Sequence, residues 1–145
     1  GGDMAFYKPL ADEVHLPLPE VFFNQEAYNA TALHELAHAT GAKHRLNRQQ
    51  EGSFGSESYA KEELVAEIAS CFSAADLGLD GNSIQFDNHT AYIQSWVSHI
   101  KEKPEALMAA IKEADKAADY LINSLEFKQE ENRLQEKEYE EELEM

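Results

Sequence analysis

The spacing of apolar residues changes from a period of two to a helical period near Asn24. Before that point the pattern predicts a short hairpin, with residues 9–13 as a turn-like break between two alternating stretches. Pro17 and Pro19 cannot donate a ladder hydrogen bond, so the second strand is expected at the edge of a sheet. The alternating apolar positions are Ala5, Tyr7, Val14, Leu16 and Leu18.

The first helix is predicted from about Gln25 to Thr40. Asn24 is suited to the N-cap because its side-chain oxygen can accept a hydrogen bond from the first turn. Gly41 is suited to the C′ position, where a left-handed backbone often ends a helix. Both signals agree on the same boundaries.

Three more helices follow from the same kind of pattern. Ser56 or Ser58 can cap the second, which runs to about Asp76. Asp87 can cap the third, and Pro104 stands where the fourth would begin. The predicted inward-facing residues are Leu64, Val65, Ile68, Cys71 and Phe72, then Tyr92, Trp96, Val97 and Ile100, then Leu107, Met108, Ile111, Ala114, Ala118, Leu121, Ile122 and Leu125.

The apolar pattern stops near Phe127, which divides the 145 residues into two parts. Residues 1–126 are expected to form one domain, because this length can bury a single core without disulfides. Residues 127–145 are strongly charged and are expected to form an acidic tail, either a solvated helix or a flexible segment.

Charge and composition limit the function. Twelve Lys and Arg against 28 Asp and Glu give a net charge of -16, which disfavours direct binding of nucleic acid by this fragment. The single cysteine, Cys71, cannot close an internal disulfide and favours a reducing, cytoplasmic setting. No apolar run approaches the roughly 20 residues that span a bilayer, so no membrane association is expected.

The run HELAH at residues 34–38 is the feature that points to chemistry. His34 and His38 are four residues apart, so both imidazoles lie on one helix face, one turn apart. Imidazole nitrogens suit Zn²⁺, and a catalytic zinc site keeps one position for water. Glu35 would lie beside the metal as the general base that takes a proton from this water. The motif predicts a zinc-dependent hydrolase of the zincin type.

Two residues are candidates for the third metal ligand. His44 completes the metzincin pattern HExxHxxGxxH, in which Gly41 would let the chain turn back. Glu63 lies in the second predicted helix, which must pack against the first, and a carboxylate from a neighbouring helix is the gluzincin arrangement. Glu67, one turn further on the same face, would orient a metal-bound histidine. The spacing alone leaves both ligands open.

Four runs together suggest a family. They are HELAHATG at residues 34–41, RLNR at 45–48, FGS at 54–56 and YAKEELVAE at 59–67. This set resembles the C-terminal domain of the antirestriction protein ArdC and its relatives. The resemblance implies a zincin-like metallopeptidase domain acting on a peptide or protein, with a separate upstream domain that binds single-stranded DNA. It favours Glu63 over His44, because relatives carry their extra histidine at the position of Ala42.

The combined prediction is an α+β, mostly helical zincin-like fold with a short edge sheet beside the HExxH helix. An extended substrate is expected to add to the edge strand at residues 14–18. Tyr59 is a further candidate, for stabilising an oxyanion. The predicted site residues are His34, His38 and Glu63 as ligands of Zn²⁺ and Glu35 as the general base.

A binding module is the alternative from another functional class. Such a module would keep a structural zinc ion and block a partner enzyme by acidic mimicry of nucleic acid. The charge of -16 supports this alternative. Glu35 argues against it, because a purely structural site has no need of a base beside the metal.

Overall fold

A computed structural model describes residues 4–48, 56–79, 83–100 and 104–144. The hairpin comes first, then a short 3-10 helix (Pro19–Val21) and four α-helices, and the hairpin and the four helices are those that the sequence predicts. The hairpin consists of β1 (Phe6–Lys8) and β2 (Glu13–His15), which pair antiparallel with Tyr7 opposite Val14. Both strands contact the first helix. The prediction of a mostly helical fold with a short sheet beside the HExxH helix is therefore confirmed.

The first helix, α1 (Gln25–Thr40), has the predicted boundaries. The Asn24 side chain accepts a hydrogen bond from the backbone N–H of Ala27 at 2.8 Å, which stabilises the first turn. Gly41 ends the helix, but its φ is -80°, in the right-handed region. The helix thus stops at Gly41 as predicted, although Gly41 is the C-cap and its backbone is not left-handed. The chain continues instead through turns in which Leu46 and Arg48 donate backbone N–H bonds back to the end of α1.

The second helix, α2 (Glu57–Asp76), forms the centre of the core. The hydroxyl of Ser56, one of the two predicted caps, accepts a hydrogen bond from the N–H of Tyr59 at 3.2 Å. Beyond the helix, Gly78 has a φ of +70°, a left-handed conformation that favours glycine. Because α2 packs against all three other helices, its residues are buried around most of its circumference.

The third helix, α3 (Ser83–Ser98), begins four residues before the predicted cap Asp87. Trp96 and Val97 pack against the core as predicted, and Ile100 beyond the helix is buried. Tyr92 was predicted to face inward, but it is 60% exposed. Tyr92 lines a cavity instead of packing into the core.

The fourth helix, α4 (Glu105–Glu144), is 40 residues long. Its buried stripe consists mainly of alanines, because small residues allow a close approach of α4 to α2. Met108 and Leu125, which were predicted to face inward, are 55% and 40% exposed. The buried positions of α4 are Ala106, Ala110, Ala114, Ala117, Ala118 and Leu121.

The C-terminal part of α4 continues as a helix without joining the core. Every side chain described from residue 128 to 144 is exposed. No helix in the described part of the chain is both long and apolar enough to cross a membrane. We propose that residues 1–126 are the folding unit and that the tail adds little to its stability.

Ending the chain after residue 127 is expected to change the free energy of unfolding by less than about 1 kcal/mol, because exposed side chains contribute little. Thermal and urea unfolding, followed by circular dichroism, would measure this change. Ending the chain after residue 116 is the contrasting variant, since it removes Ala117, Ala118 and Leu121 from the core, and it is expected not to fold. A large loss of stability in the longer variant would place the tail within the folding unit.

Candidate metal centre

The two histidines of α1 face one carboxylate of α2. His34 Nε2 lies 3.1 Å from one oxygen of Glu63, and His38 Nε2 lies 3.2 Å from the other. Ligand atoms of His34, Glu35 and His38 lie within 4.8 Å of one another, a grouping that can hold a metal ion. The arrangement depends on the spacing of four in α1 and on the packing of α2 against it.

The outer nitrogen of each ring is held by a separate carboxylate of α2. His34 Nδ1 lies 2.9 Å from Glu67, and His38 Nδ1 lies 2.8 Å from Glu62. Glu62 and Glu67 are 9% and 7% exposed, so this face of α2 is buried and is not a solvated acidic surface. Such carboxylates fix the tautomer and the orientation of a metal-binding histidine.

Each of these two carboxylates has a basic partner behind it. The Arg48 guanidinium binds both oxygens of Glu62, at 2.9 and 3.1 Å, and also donates to the carbonyl of Ala37. Nδ1 of His89, a residue of α3, lies 2.5 Å from the oxygen of Glu67 that does not contact His34. His34 therefore contacts Glu67, which contacts His89, and His38 contacts Glu62, which contacts Arg48. Both series of contacts are largely buried.

Sequence reasoning missed Glu62, Arg48 and His89. Arg48 lies in the RLNR run, but nothing in that run indicates that its side chain is 6% exposed and paired. His89 is 22 residues from Glu67 and lies on another helix, so no local pattern joins them. A prediction that His89 is buried would have been the one hint that it needs a charged partner.

Replacing His89 by alanine is expected to lower metal affinity by roughly 10-fold, because loss of an outer partner typically costs 10–100-fold. Competition with a chelating dye would measure the dissociation constant. The variant His89→Gln keeps an N–H donor and should retain more of the affinity. His15→Ala is the matched control, since His15 is exposed and pairs with Glu13. Equal affinity in all three variants would show that the contact to Glu67 does not position His34.

Glu35 is a further buried acid of the site. The residue is 7% exposed, and its Oε2 atom has no hydrogen-bond partner among the described residues. Burial raises the pKa of this carboxyl, and the nearby His38 and His34 oppose that effect. An unpaired buried oxygen is costly unless a ligand or water uses it.

Without a metal ion the two histidines hold protons strongly. Burial by itself would lower their pKa values, but the carboxylates outweigh it and raise the pKa of His34 to about 10 and that of His38 to about 9. Burial would raise the pKa of Glu63, yet the two histidines lower it to about 2. The metal-free site is therefore a group of ion pairs at neutral pH.

These shifts predict opposite effects of pH on stability and on metal affinity. A raised histidine pKa stabilises the fold below about 6.5, and this contribution is lost as pH rises through about 9 to 10. The melting temperature of metal-free protein should fall over that range, whereas metal affinity should rise because ligands must lose their protons. Calorimetry at several pH values would measure both quantities. Metal affinity that falls with rising pH would contradict the prediction.

The remaining candidates lie at different distances from this group. His44 is 64% exposed in its side chain and pairs with Asp12 at 3.4 Å, so the described contacts bring Glu63, not His44, to the two histidines. Tyr59 lies close to the site, where burial and the neighbouring Glu63 raise its pKa. Its ring meets that of Trp96 edge-on, with centroids 5.7 Å apart.

Two cavities flank the site and share Ala5, Glu35, Tyr59 and Glu63 in their linings. One, of about 360 Å³, lies toward α3. The other, of about 390 Å³, lies toward β1 and includes Tyr7. Residues 14–18, where the sequence suggests that a substrate adds, line neither cavity. The part of the hairpin beside the site is β1 and the residues before it.

Similarity to known proteins supports the resemblance found in the sequence. Two Escherichia coli proteins named DNA primase TraC are 44% identical over 120 and 121 residues, each match covering 83% of this chain. The uncharacterized protein y4eC of Sinorhizobium fredii is 40% identical over 121 residues. The chain spans only 11%, 8% and 39% of these relatives.

Two solved structures of an antirestriction protein are also similar to this chain. The crystal structure of the Mn(II)-bound antirestriction protein ArdC from the R388 plasmid has a TM-score of 0.67 and 42% identity, covering 83% of this chain and 44% of that one. The metal-free structure of the same protein has a TM-score of 0.62 and 41% identity, covering 80% and 41%. The predicted resemblance to ArdC is thereby confirmed.

A family model gives the remaining comparison. The model for zincin-like metallopeptidases named MPTase-PolyVal matches residues 1–113, which include the hairpin and the first three helices. The match therefore covers the HELAH helix, the carboxylates of α2 and His89 of α3. With this match and the ArdC-like fold, the chain belongs to the zincin-like metallopeptidase family.

Proposed function

We propose that this domain is a zinc-dependent peptidase in which His34, His38 and Glu63 bind the metal and Glu35 is the general base. The observation that supports this most is the convergence of three side chains. The two Nε2 atoms face the two oxygens of Glu63 at 3.1 and 3.2 Å. This donor set, two imidazoles and one carboxylate, is that of a catalytic zinc site with an open position.

The chemistry of these donors requires a cation between them. If Glu67 and Glu62 accept the Nδ1 protons of His34 and His38, both Nε2 atoms present lone pairs. Those lone pairs face the negative oxygens of Glu63, which is unfavourable unless protons or a metal ion lie between them. Protons serve in the metal-free state, as the raised pKa values indicate. A divalent ion would replace them.

Zinc is our choice among divalent ions. A site with two imidazole nitrogens binds zinc more tightly than manganese, in accord with the general order of affinities. The relative in Mn(II)-bound form shows that manganese can occupy a related protein. Direct competition between the two ions would measure the preference in this chain.

Glu35 would perform the proton transfers. When bound, the metal ion supplies Lewis acidity, which lowers the pKa of water toward about 7 and polarises a carbonyl. Oε2 of Glu35 has no partner among the described residues and can accept a proton, and the residue lines the cavities on both sides of the site. The same carboxyl can then return the proton to the departing amine. Its raised pKa suits both steps.

A non-catalytic interaction module is the second candidate, and the charge of -16 favours it. It would hold a metal for structure and block a DNA-acting enzyme through acidic mimicry, in an antirestriction setting. In either case we propose that this domain acts in the cytoplasm on a protein partner and leaves DNA contacts to other domains. Inhibition of a restriction enzyme that survives Glu35→Gln with metal still bound would favour this candidate.

Peptidase activity would be tested by incubating an unfolded protein, such as casein, with a preparation of this domain whose zinc content is known. We expect cleavage that stops on chelation and returns when zinc is restored. Mass spectrometry of the products would identify the cleaved bonds. Absence of cleavage by fully loaded protein, over a broad set of peptides, would reject the peptidase proposal and leave the interaction module.

A further inference from the structure

The cavity between the candidate metal site and α3 has a composition that differs from the rest of the molecule's acidic surface. Its volume is about 360 Å³. Its lining includes three aromatic side chains from α2 and α3 and two small side chains from α1. The residues that matter here are Tyr59, Tyr92, Trp96, Ala30 and Thr31.

The acidic residues in this cavity are already engaged. Glu63 contacts both histidines of the site through its two oxygens. Glu67 binds His34 through one oxygen and His89 through the other. Among the acidic residues of this lining, Glu35 has a buried oxygen without a hydrogen-bond partner in the described part of the chain. Apart from Glu35, the carboxylates of this lining are already paired, so a cationic side chain would have to compete with histidines for them.

We propose that this cavity binds a large apolar side chain, aromatic or branched, of the substrate next to the bond that is cleaved. This inference rests on the proposed function, since it assigns the substrate class of the same site. Continuity supports it, because the second cavity, of about 390 Å³, shares Glu35 and Glu63 with the first. An extended peptide can cross the site with one side chain in the aromatic cavity and its chain continuing along β1.

The exposure of Tyr92 agrees with this assignment. It is 60% exposed, although the helical pattern places an apolar residue there. Tyr92 lines the cavity together with Trp96, which also packs against the core and meets the ring of Tyr59. An apolar side chain seated between them would cover surface that the fold itself leaves open.

Peptide hydroxamates provide a test that does not depend on cleavage, because the hydroxamate group binds the metal directly. Zinc-loaded domain would be titrated calorimetrically with dipeptide hydroxamates that carry Phe, Lys or Ala at the adjacent position. We expect the Phe compound to bind roughly 10-fold or more tightly than the Ala compound, as burial of an aromatic side chain implies. The Lys compound should bind no more tightly than the Ala compound.

Two variants locate the effect. Tyr92→Ser should reduce the preference for Phe at least about 3-fold, since it removes part of the aromatic lining. Tyr139→Ser is the matched control, because Tyr139 is 63% exposed on a helix remote in sequence from the site, and it should leave the preference unchanged. Ala30→Leu, which fills the cavity from α1, should weaken the Phe compound more than the Ala compound.

The outcomes separate this proposal from the proposed function. Equal binding of all three compounds, or a preference for Lys, overturns the cavity assignment even if peptides are cleaved. Failure of zinc-loaded protein to bind any of them overturns it as well. A Phe preference that Tyr92→Ser reduces supports the assignment, and it does so even if the same protein cleaves no peptide and the proposed peptidase activity fails.

Discussion

Replacement of Glu35 by glutamine is expected to abolish peptide cleavage while leaving the metal in place. Glutamine keeps the size of the side chain but cannot accept and return a proton as the carboxylate does. Loss of a general base typically costs about 100- to 10,000-fold in rate. Because Oε2 of Glu35 has no hydrogen-bond partner within the described residues, replacing that atom by an amide group breaks no hydrogen bond there.

Cleavage rates and zinc content should be measured on the same samples of wild type and variant. Glu26→Gln is the matched control, since Glu26 lies in the first turn of the same helix, and it should cleave at the wild-type rate. Wild-type activity in Glu35→Gln would remove this residue from the mechanism. Loss of zinc from the variant would instead assign it a role in binding the metal.

Variants of the proposed metal ligands should separate Glu63 from His44. His38→Ala and Glu63→Ala are each expected to lose bound zinc, with a decrease in affinity larger than the roughly 10- to 100-fold typical of an outer partner. His44→Ala should bind zinc as wild type does, because His44 is 64% exposed in its side chain and pairs with Asp12. Elemental analysis after dialysis, together with competition against a chelating dye, would give stoichiometry and affinity.

Folding must be checked in His38→Ala and Glu63→Ala, because each removes one partner from largely buried charged groups. Circular dichroism of the metal-free proteins supplies that control. If folded Glu63→Ala keeps zinc and folded His44→Ala loses it, the third ligand is His44 and the metzincin pattern applies. If no carefully prepared wild-type sample binds zinc or manganese, the proposal of a metal-dependent enzyme fails.

Local signals predicted α1 well. Its N-cap and its spacing of histidines depend on residues no more than four positions apart, so the sequence determines them directly. The contact of His34 with Glu63 spans 29 residues, yet it could also be expected, because both helices carry apolar stripes that must pack together. The identity of the third ligand remained open until the resemblance and then the contacts favoured Glu63.

Other features depend on tertiary packing and could not be predicted in the same way. Met108 has the apolar character of a core residue, but α4 is positioned by its alanines, so Met108 lies outside the contact. Glu62 is next to Glu63 in a helix start, where carboxylates are favourable for the helix dipole in any fold. Its ion pair with Arg48 depends on the turns after α1, which place the Arg48 guanidinium beside α2, and no local pattern predicts that placement.

The alanine stripe of α4 has a consequence for how this chain can change during evolution. Ala114 and Ala117 are fully buried, at 0% exposure. A larger residue there would push two helices apart at a cost of about 1–3 kcal/mol, and glycine, the one smaller residue, would cost about 1 kcal/mol in helix propensity. Substitution is therefore unfavourable in both directions of size. Sequence drift should therefore be slow at these two positions, although their side chains carry no polar atom and lie outside the site.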